Sequence, residues 1–212
     1  MCAVLEVAEG RVSGFRNGDR NCTWNCTWNC TCFIAELHVR PHRAAYMPQL
    51  TLFALERDTA ERLAREPAAC ARLNVLTLAP HEATTVAMAA ATAAMLVAHP
   101  ASMPWCGYLA LEGDMRRVVG FCGFKGGPDA TGAAELAYFT FAGEEGRGIA
   151  SAMAAGLVQL AMSAQTAAVL LRAHTLPERS ASCRVLEKVG FEFIGPVIDP
   201  DDGPVWRWER FI

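Results

Sequence analysis

Basic residues are nowhere in excess in this chain. Nineteen lysines and arginines face 22 acidic residues, a net charge of -3, and no basic run is long enough to track a nucleic-acid backbone. Long apolar runs are missing too. The longest, Val86 to Ala98, has 13 residues, most of them alanine, which suits a buried helix rather than a membrane span. The start of the chain has no basic cluster followed by an apolar block, so no secretory leader is expected. Paired C-x2-C spacings are also lacking, and with them the common zinc modules. These absences speak against nucleic acid, membrane and metal, and for a cytoplasmic protein.

What is present is a globular composition, 52% hydrophobic and 19% charged, on a chain long enough for one sizeable domain with an extension. Cys2, Cys70, Cys106, Cys122 and Cys183 lie scattered in apolar surroundings, as small core residues do in a reducing compartment. The other cysteines, Cys22, Cys26, Cys30 and Cys32, belong to a repeat, "NCTWNCTWNC" from Asn21. Their C-x3-C-x3-C-x-C spacing leaves adventitious metal capture open, and each Asn-Cys-Thr is formally a glycosylation acceptor on a secretory route. The period of four also has the look of a short duplication. We expect residues 1–46 to be an N-terminal extension dispensable for activity, and residues 47–212 to be the folded domain.

From Met47 the pattern sharpens. Gln49 to Asp58 reads as a strand, with Asp58 as the N-cap of a helix through Leu73. A second helix runs from His81 to His99, before Pro100. Cys106 to Glu112, a Gly-Asp turn and Arg116 to Phe124 form a hairpin signal, and Ala133 to Phe141 a third antiparallel strand. Ile149, Met153, Leu157 and Leu160 then recur at helical spacing. Ala167 to Thr175 reads as a strand buried on both faces, Ser180 to Val189 as a short helix stopped by Gly190. "FEFIG" and Pro204 to Arg210 close the chain as strands. The order is that of a mixed α/β (α+β) domain around one main sheet.

The informative segment is "EEGRGIASAM", Glu144 to Met153, where Gly146 and Gly148 separate a strand from a helix. Glycine permits positive φ and close ligand approach, and the free N–H groups of a helix's first turn favour phosphate. A plain strand-to-helix turn is the competing reading. A Rossmann site is excluded because Ser151 stands where the third glycine belongs and no acid lies in 163–172. A P-loop is excluded because no Lys-Ser or Lys-Thr follows a glycine-rich run.

Two segments together resemble the GNAT superfamily of acetyl-CoA-dependent N-acetyltransferases. Glu145 to Ala150 is similar to its phosphate loop, Gln/Arg-x-x-Gly-x-Gly/Ala. "HTLPERSASCRVLEKVGF", His174 to Phe191, resembles the signature of the branch that acetylates ribosomal-protein N-termini, as do "VVGFCGFKG" and "AELAYF". The resemblance covers about residues 48 to 210. It implies a mainly antiparallel central sheet flanked by helices, and acetyl-CoA as cosubstrate.

Residue by residue, the resemblance implies that the amides of Gly146, Arg147, Gly148, Ile149, Ala150 and Ser151 hold the diphosphate. Phe139, Thr140 and Phe141 pair their backbone with the pantetheine arm, Glu135 takes the amine's proton through a water, and Ser182 protonates the departing thiolate. For Glu135 an ion-pair role competes, and for Ser182 helix capping or packing. The chain departs from the family's pattern in three places: Leu186 stands at the Tyr donor's position, Glu145 replaces the usual Gln or Arg, and Arg179 replaces an Asn that contacts the pantetheine arm. The acceptor is expected to be a primary amine, on a small molecule or a protein N-terminus. The departures leave a non-catalytic acyl-CoA-binding or regulatory protein as the alternative. His174 is expected at the rim, and Tyr138, Trp206 and Trp208 in the core or on the sheet face. A homodimer is open through Pro204 to Arg210, expected at a sheet edge.

Overall fold

A computed structural model of the chain describes residues 48–100, 103–164, 168–200 and 202–212. The cysteine repeat, Cys2 and the whole expected extension, 1–46, lie outside the described residues. The elements run β1 (Leu50–Leu55), α1 (Arg57–Arg65), α2 (Pro67–Asn74), α3 (Glu82–Ala98), β2 (Gly107–Glu112), β3 (Arg117–Phe124), β4 (Ala133–Thr140), α4 (Ile149–Ser163), β5 (Leu170–Thr175), α5 (Ala181–Lys188), β6 (Glu192–Asp199) and β7 (Gly203–Phe211). None of these helices is long and apolar enough to cross a membrane.

The strands form one seven-stranded sheet in the order β1-β2-β3-β4-β5-β7-β6. Every neighbouring pair is antiparallel except β4 and β5, which run parallel. Alternate side chains of a strand point to opposite faces, and here each face has its own core. Phe53, Leu55, Leu109, Leu111 and Val118 meet Ala60 and Leu63 of α1, Cys70 of α2 and Ala89 of α3. Tyr108, Ala110, Cys122, Leu136, Leu171 and Trp208 meet Met153 and Leu157 of α4 and Cys183 and Leu186 of α5 on the other face. β2 is buried on both faces, which is why "GYLAL" reads as an unbroken apolar run.

Three expectations are corrected. The helix expected from Asp58 to Leu73 is two helices, because the ring of Pro67 supplies no N–H and pushes Glu66 out of the helical region, to φ -133° and ψ 62°. Asp58 accordingly sits inside the first turn of α1, whose N-cap is Glu56. β5 is not buried on both faces: Leu171, Ala173 and Thr175 are buried, while Leu170, Arg172 and His174 alternate with them at partial exposure. Finally, Pro204 to Arg210 is no sheet edge, since β7 pairs with β5 on one side and β6 on the other. The edges are β1 and β6.

Candidate active site

The sheet opens between its two parallel strands. β4 and β5 pair only at Ala133 with Leu170, Ala134 with Leu171 and Glu135 with Arg172, yet β4 continues to Thr140 and β5 to Thr175. Beyond Glu135 the strands part. Backbone parity decides which groups line the gap. The Glu135 carbonyl accepts from Lys125 on the β3 side, and the Phe141 N–H donates to Val119 of β3. Residues of odd number in β4 therefore spend their peptide groups on β3, and those of even number face the gap. The Leu136 N–H still belongs to the last β4–β5 pair, and beyond it the Leu136 carbonyl and the peptide groups of Tyr138 and Thr140 face the gap, where an extended ligand can meet them as a further strand would. Of the three expected backbone contacts, Thr140 faces the gap. The peptide groups of Phe139 and Phe141 face β3, with the Phe139 ring about half exposed (52%) and tilted 5.9 Å from the buried Phe141 ring.

At the C-terminal end of β4 the chain turns through the glycine loop into α4. Gly146 has φ +75° and Gly148, the N-cap of α4, has φ +80°, conformations that a side chain at Cβ would strain. Nothing lies within 4 Å of a Cβ built on Gly146, so the space above the loop is open. The first helical hydrogen bond runs from the Ala152 N–H to the Gly148 carbonyl at 3.0 Å. The N–H groups of Ile149, Ala150 and Ser151 thus precede the ladder, at the positive end of the helix dipole. This is an anion seat at the end of the open strand, with donors of the kind a diphosphate requires.

The loop is held from beneath by charges. The nearly buried Glu144 carboxylate (side chain 9% exposed) accepts hydrogen bonds from Arg117 and Arg147, and His81 Nε2 lies 3.4 Å away. Glu112 accepts from Arg117 at 2.7 Å and from Arg147 at 2.6 Å. The Arg117 hydrogen bond, against burial, pulls the Glu144 carboxyl down to about 2. Arg147 thus ties its guanidinium to Glu144 and Glu112. Glu145 is exposed and accepts from the Gly143 N–H at 2.7 Å. Glu112, Arg117 and His81 come from distant segments, and no local motif in the sequence marks them. Glu144 opens the quoted motif, but the sequence gives it no role there.

At the other end of the gap stands Glu135. Its carboxylate accepts from Lys125 Nζ at 2.6 Å and from His174 Nδ1 at 3.2 Å. Arg207 Nε donates to His174 Nε2 at 3.3 Å. A guanidinium can only donate, so Nε2 accepts and the ring proton sits on Nδ1, directed at Glu135. Asp199 lies 3.9 Å from the same ring nitrogen. His174 is thus satisfied on both ring nitrogens and links Arg207 to Glu135. Lys125, Arg207 and Asp199 escaped the sequence reading because they meet only through the pairing of β3, β4, β5, β7 and β6.

Across the gap, Ser182 lies in the first turn of α5 and its carbonyl accepts from the Tyr138 hydroxyl at 3.2 Å. Burial pushes the Tyr138 phenol up to about 12, so it stays protonated at neutral pH. The helix cap is Ser180, whose oxygen accepts from the Cys183 N–H at 3.5 Å. Leu186 is fully buried. Arg179 points away to Glu187, 2.6 Å distant at the surface. A groove of about 850 Å³ elsewhere, between the end of α4 and β6, is lined by Met162, Gly190, Ile194 and Phe211 and includes none of these candidate residues. Among the described residues, no group of three or more His, Cys, Asp or Glu could hold a metal ion.

A parallel pair that parts mid-sheet, with a glycine turn and a helix N-terminus at its mouth, is the arrangement the sequence resemblance implied. The family model of the acetyltransferase (GNAT) domain matches residues 49–192. The chain belongs to the GNAT acetyltransferase family. It is an N-acetyltransferase that uses acetyl-CoA as acetyl donor and an amine as acceptor. No curated protein matches the chain by sequence. Solved structures with the same fold include RimL, a ribosomal alpha-N-protein acetyltransferase in complex with coenzyme A, at 15% identity and a TM-score of 0.53, covering 77% of this chain and 94% of that one. An aminoglycoside acetyltransferase in complex with coenzyme A matches at 17% identity and a TM-score of 0.53, over 77% of this chain and 95% of its own. A chimera of the Vibrio cholerae spermidine N-acetyltransferase matches at 15% identity and a TM-score of 0.53, over 76% and 95%.

Proposed function

We propose that acetyl-CoA lies in the gap between β4 and β5, with its diphosphate on the N–H groups of Gly146 to Ser151 and its pantetheine arm along Leu136, Tyr138 and Thr140. The observation that carries this is the row of gap-facing peptide groups, from Thr140 through Tyr138 to the Leu136 carbonyl, between the glycine loop and the last β4–β5 pair. A bound thioester supplies an activated acetyl carbon. The chain's residues hold it beside the incoming amine, and that orientation supplies much of the rate. An N–H of the gap-facing row polarises the thioester carbonyl.

An ammonium has no lone pair, so the acceptor must lose a proton before it attacks. Glu135, at the parting of the strands, takes it through a water. The donors on Glu135 keep its carboxylate fixed in place, and His174 holds it from behind. The departing thiolate finds two hydroxyls near α5, those of Ser182 and Tyr138. Arg147 contributes its backbone N–H, while Arg179, tied to Glu187, stays outside the reaction. Glu145, bonded to Gly143 and exposed, adds little repulsion in high dielectric. The two departures at Glu145 and Arg179 therefore give the non-catalytic alternative no support.

The acceptor in this reading is a primary amine, on a small molecule or a protein N-terminus, approaching over the face that carries Glu135, Phe139 and His174. Residues 47–212 suffice for the reaction and 1–46 are dispensable. The buried free thiols Cys70, Cys106, Cys122 and Cys183 favour a reducing compartment, the cytoplasm. The test is turnover on a panel of amines and N-terminal peptides, read as free thiol. Thiol release that depends on an amine and is lost in Glu135→Gln is expected. Tight acetyl-CoA binding without release over the whole panel would contradict it.

A further inference from the structure

The chain carries only two lysines, Lys125 and Lys188, against seventeen arginines. Arginine cannot serve as an amine nucleophile, because its guanidinium stays protonated in proteins. Almost all the positive charge is therefore inert to acetyl transfer. One of the two exceptions stands at the candidate base. Lys125 follows directly on β3, and its backbone N–H donates to the Glu135 carbonyl at 2.9 Å, which fixes it beside the residue where β4 and β5 part. Its Nζ lies 2.6 Å from Glu135 Oε1, with Asp202 at 3.8 Å, and its side chain is half exposed (48%). A primary amine thus already occupies the place on Glu135 that an acceptor's ammonium needs.

We propose that Lys125 is acetylated by the enzyme's own bound acetyl-CoA. The proposal rests on the reading above, in which the acetyl group lies at the parting of β4 and β5. Glu135 accepts one proton from the Lys125 ammonium. The freed nitrogen forms a bond to the thioester carbon, the carbon–sulfur bond breaks, and the sulfur leaves with the electron pair and takes up a proton as the free thiol. The products are an N-acetyl-lysine and CoA thiol, with one proton released from the ammonium. Two consequences follow for the site. The amide carries no charge, so its ion pair with Glu135 is gone. The carboxylate then keeps His174 as its partner and is open to an external amine. Lys188, at the C-terminal end of α5, lines the other groove and provides an internal control.

The test is peptide-resolved mass spectrometry of the purified full chain after incubation with acetyl-CoA and no acceptor. One acetyl group on Lys125, none on Lys188, at a rate independent of protein concentration, is expected. In Glu135→Gln that rate should fall about a hundredfold, the weight of a lost general base. Equal labelling of Lys125 and Lys188, or labelling of Lys125 that persists unchanged in Glu135→Gln, would overturn the proposal by showing uncatalysed chemistry. So would an unmodified Lys125 in protein that releases thiol with an external amine. If acetyl-CoA produces no shift in melting temperature, the placement of acetyl-CoA fails first, and this proposal with it.

Discussion

The two halves of the sheet are built differently. From β1 to β3 both faces lie under helices, α1 to α3 on one side and α4 on the other. From β5 through β7 to β6 the described helices cover one face, and the other carries Arg172, His174, Arg207 and Glu209 in ion pairs and hydrogen bonds. The first half is a packed slab; the second is a half-open shelf. The seam between them is where the strands part, with the glycine loop at one end and Glu135 at the other. The proposed site lies at this seam, where a ligand would fill the gap between two strands already paired on their other sides.

The comparison yields expectations of graded size. Leu109, fully buried in the slab, should cost about 3 kcal/mol on truncation to alanine, by lost transfer and the cavity left behind. Ile198 of β6 is 77% exposed, and Ile198→Ala should cost under about 0.5 kcal/mol. Urea unfolding of both variants measures the contrast, and similar losses would erase the distinction between slab and shelf. At the seam, Glu135→Gln should lower kcat about a hundredfold while shifting stability by less than about 1 kcal/mol, because its ion pair is partly solvated. Steady-state kinetics beside a melting curve separate the two effects.

Beneath the loop, Glu144→Gln should cost about 2 kcal/mol, since it takes one of the two carboxylates shared by Arg117 and Arg147 out of a partly buried network and leaves them Glu112. Its KM for acetyl-CoA should rise with the loosened loop. The pH dependence has a definite sign. The folded-state pKa of Glu144 lies below its ordinary value of 4.5, at about 2, so the unfolded chain binds more protons between these limits. The stabilisation is fully present above about pH 4.5 and is lost as pH falls toward about 2. The stability gap between wild type and Glu144→Gln should therefore shrink over that range in acid denaturation. A gap that stays constant would remove the carboxylate from the account. The smallest effect belongs to Arg179→Asn. An exposed pair with Glu187 is worth little, so KM for acetyl-CoA should change by less than about threefold, whichever residue stands there.

The sequence made some of this legible and hid the rest for physical reasons. The glycine loop and α4 could be read because glycine's positive φ and the apolar period are local properties. The antiparallel strands β2 to β4 were equally plain, as hairpin signals are short-range. The break between α1 and α2 was missed although Pro67 marks it, because the apolar pattern on either side is continuous. β5 was misread since Leu170 and Ala173 hide an alternation whose polar members, Arg172 and His174, are satisfied by β7. Which residues of β4 face the gap depends on register with β3, and no single strand contains that information. The Glu144 network and the Lys125–Glu135–His174 chain join residues far apart in sequence, so composition and spacing could not reveal them.

The most direct measurement is the melting temperature with and without acetyl-CoA, on the wild type and on Gly148→Trp. At about 100 times its dissociation constant the ligand adds about 2.7 kcal/mol, which for a domain of this size raises the melting point by roughly 5 to 10 °C. The account predicts that shift in the wild type and its loss in the folded variant, where a bulky side chain fills the loop. No shift in the wild type, or an equal shift in both, would contradict the placement of acetyl-CoA at the glycine loop.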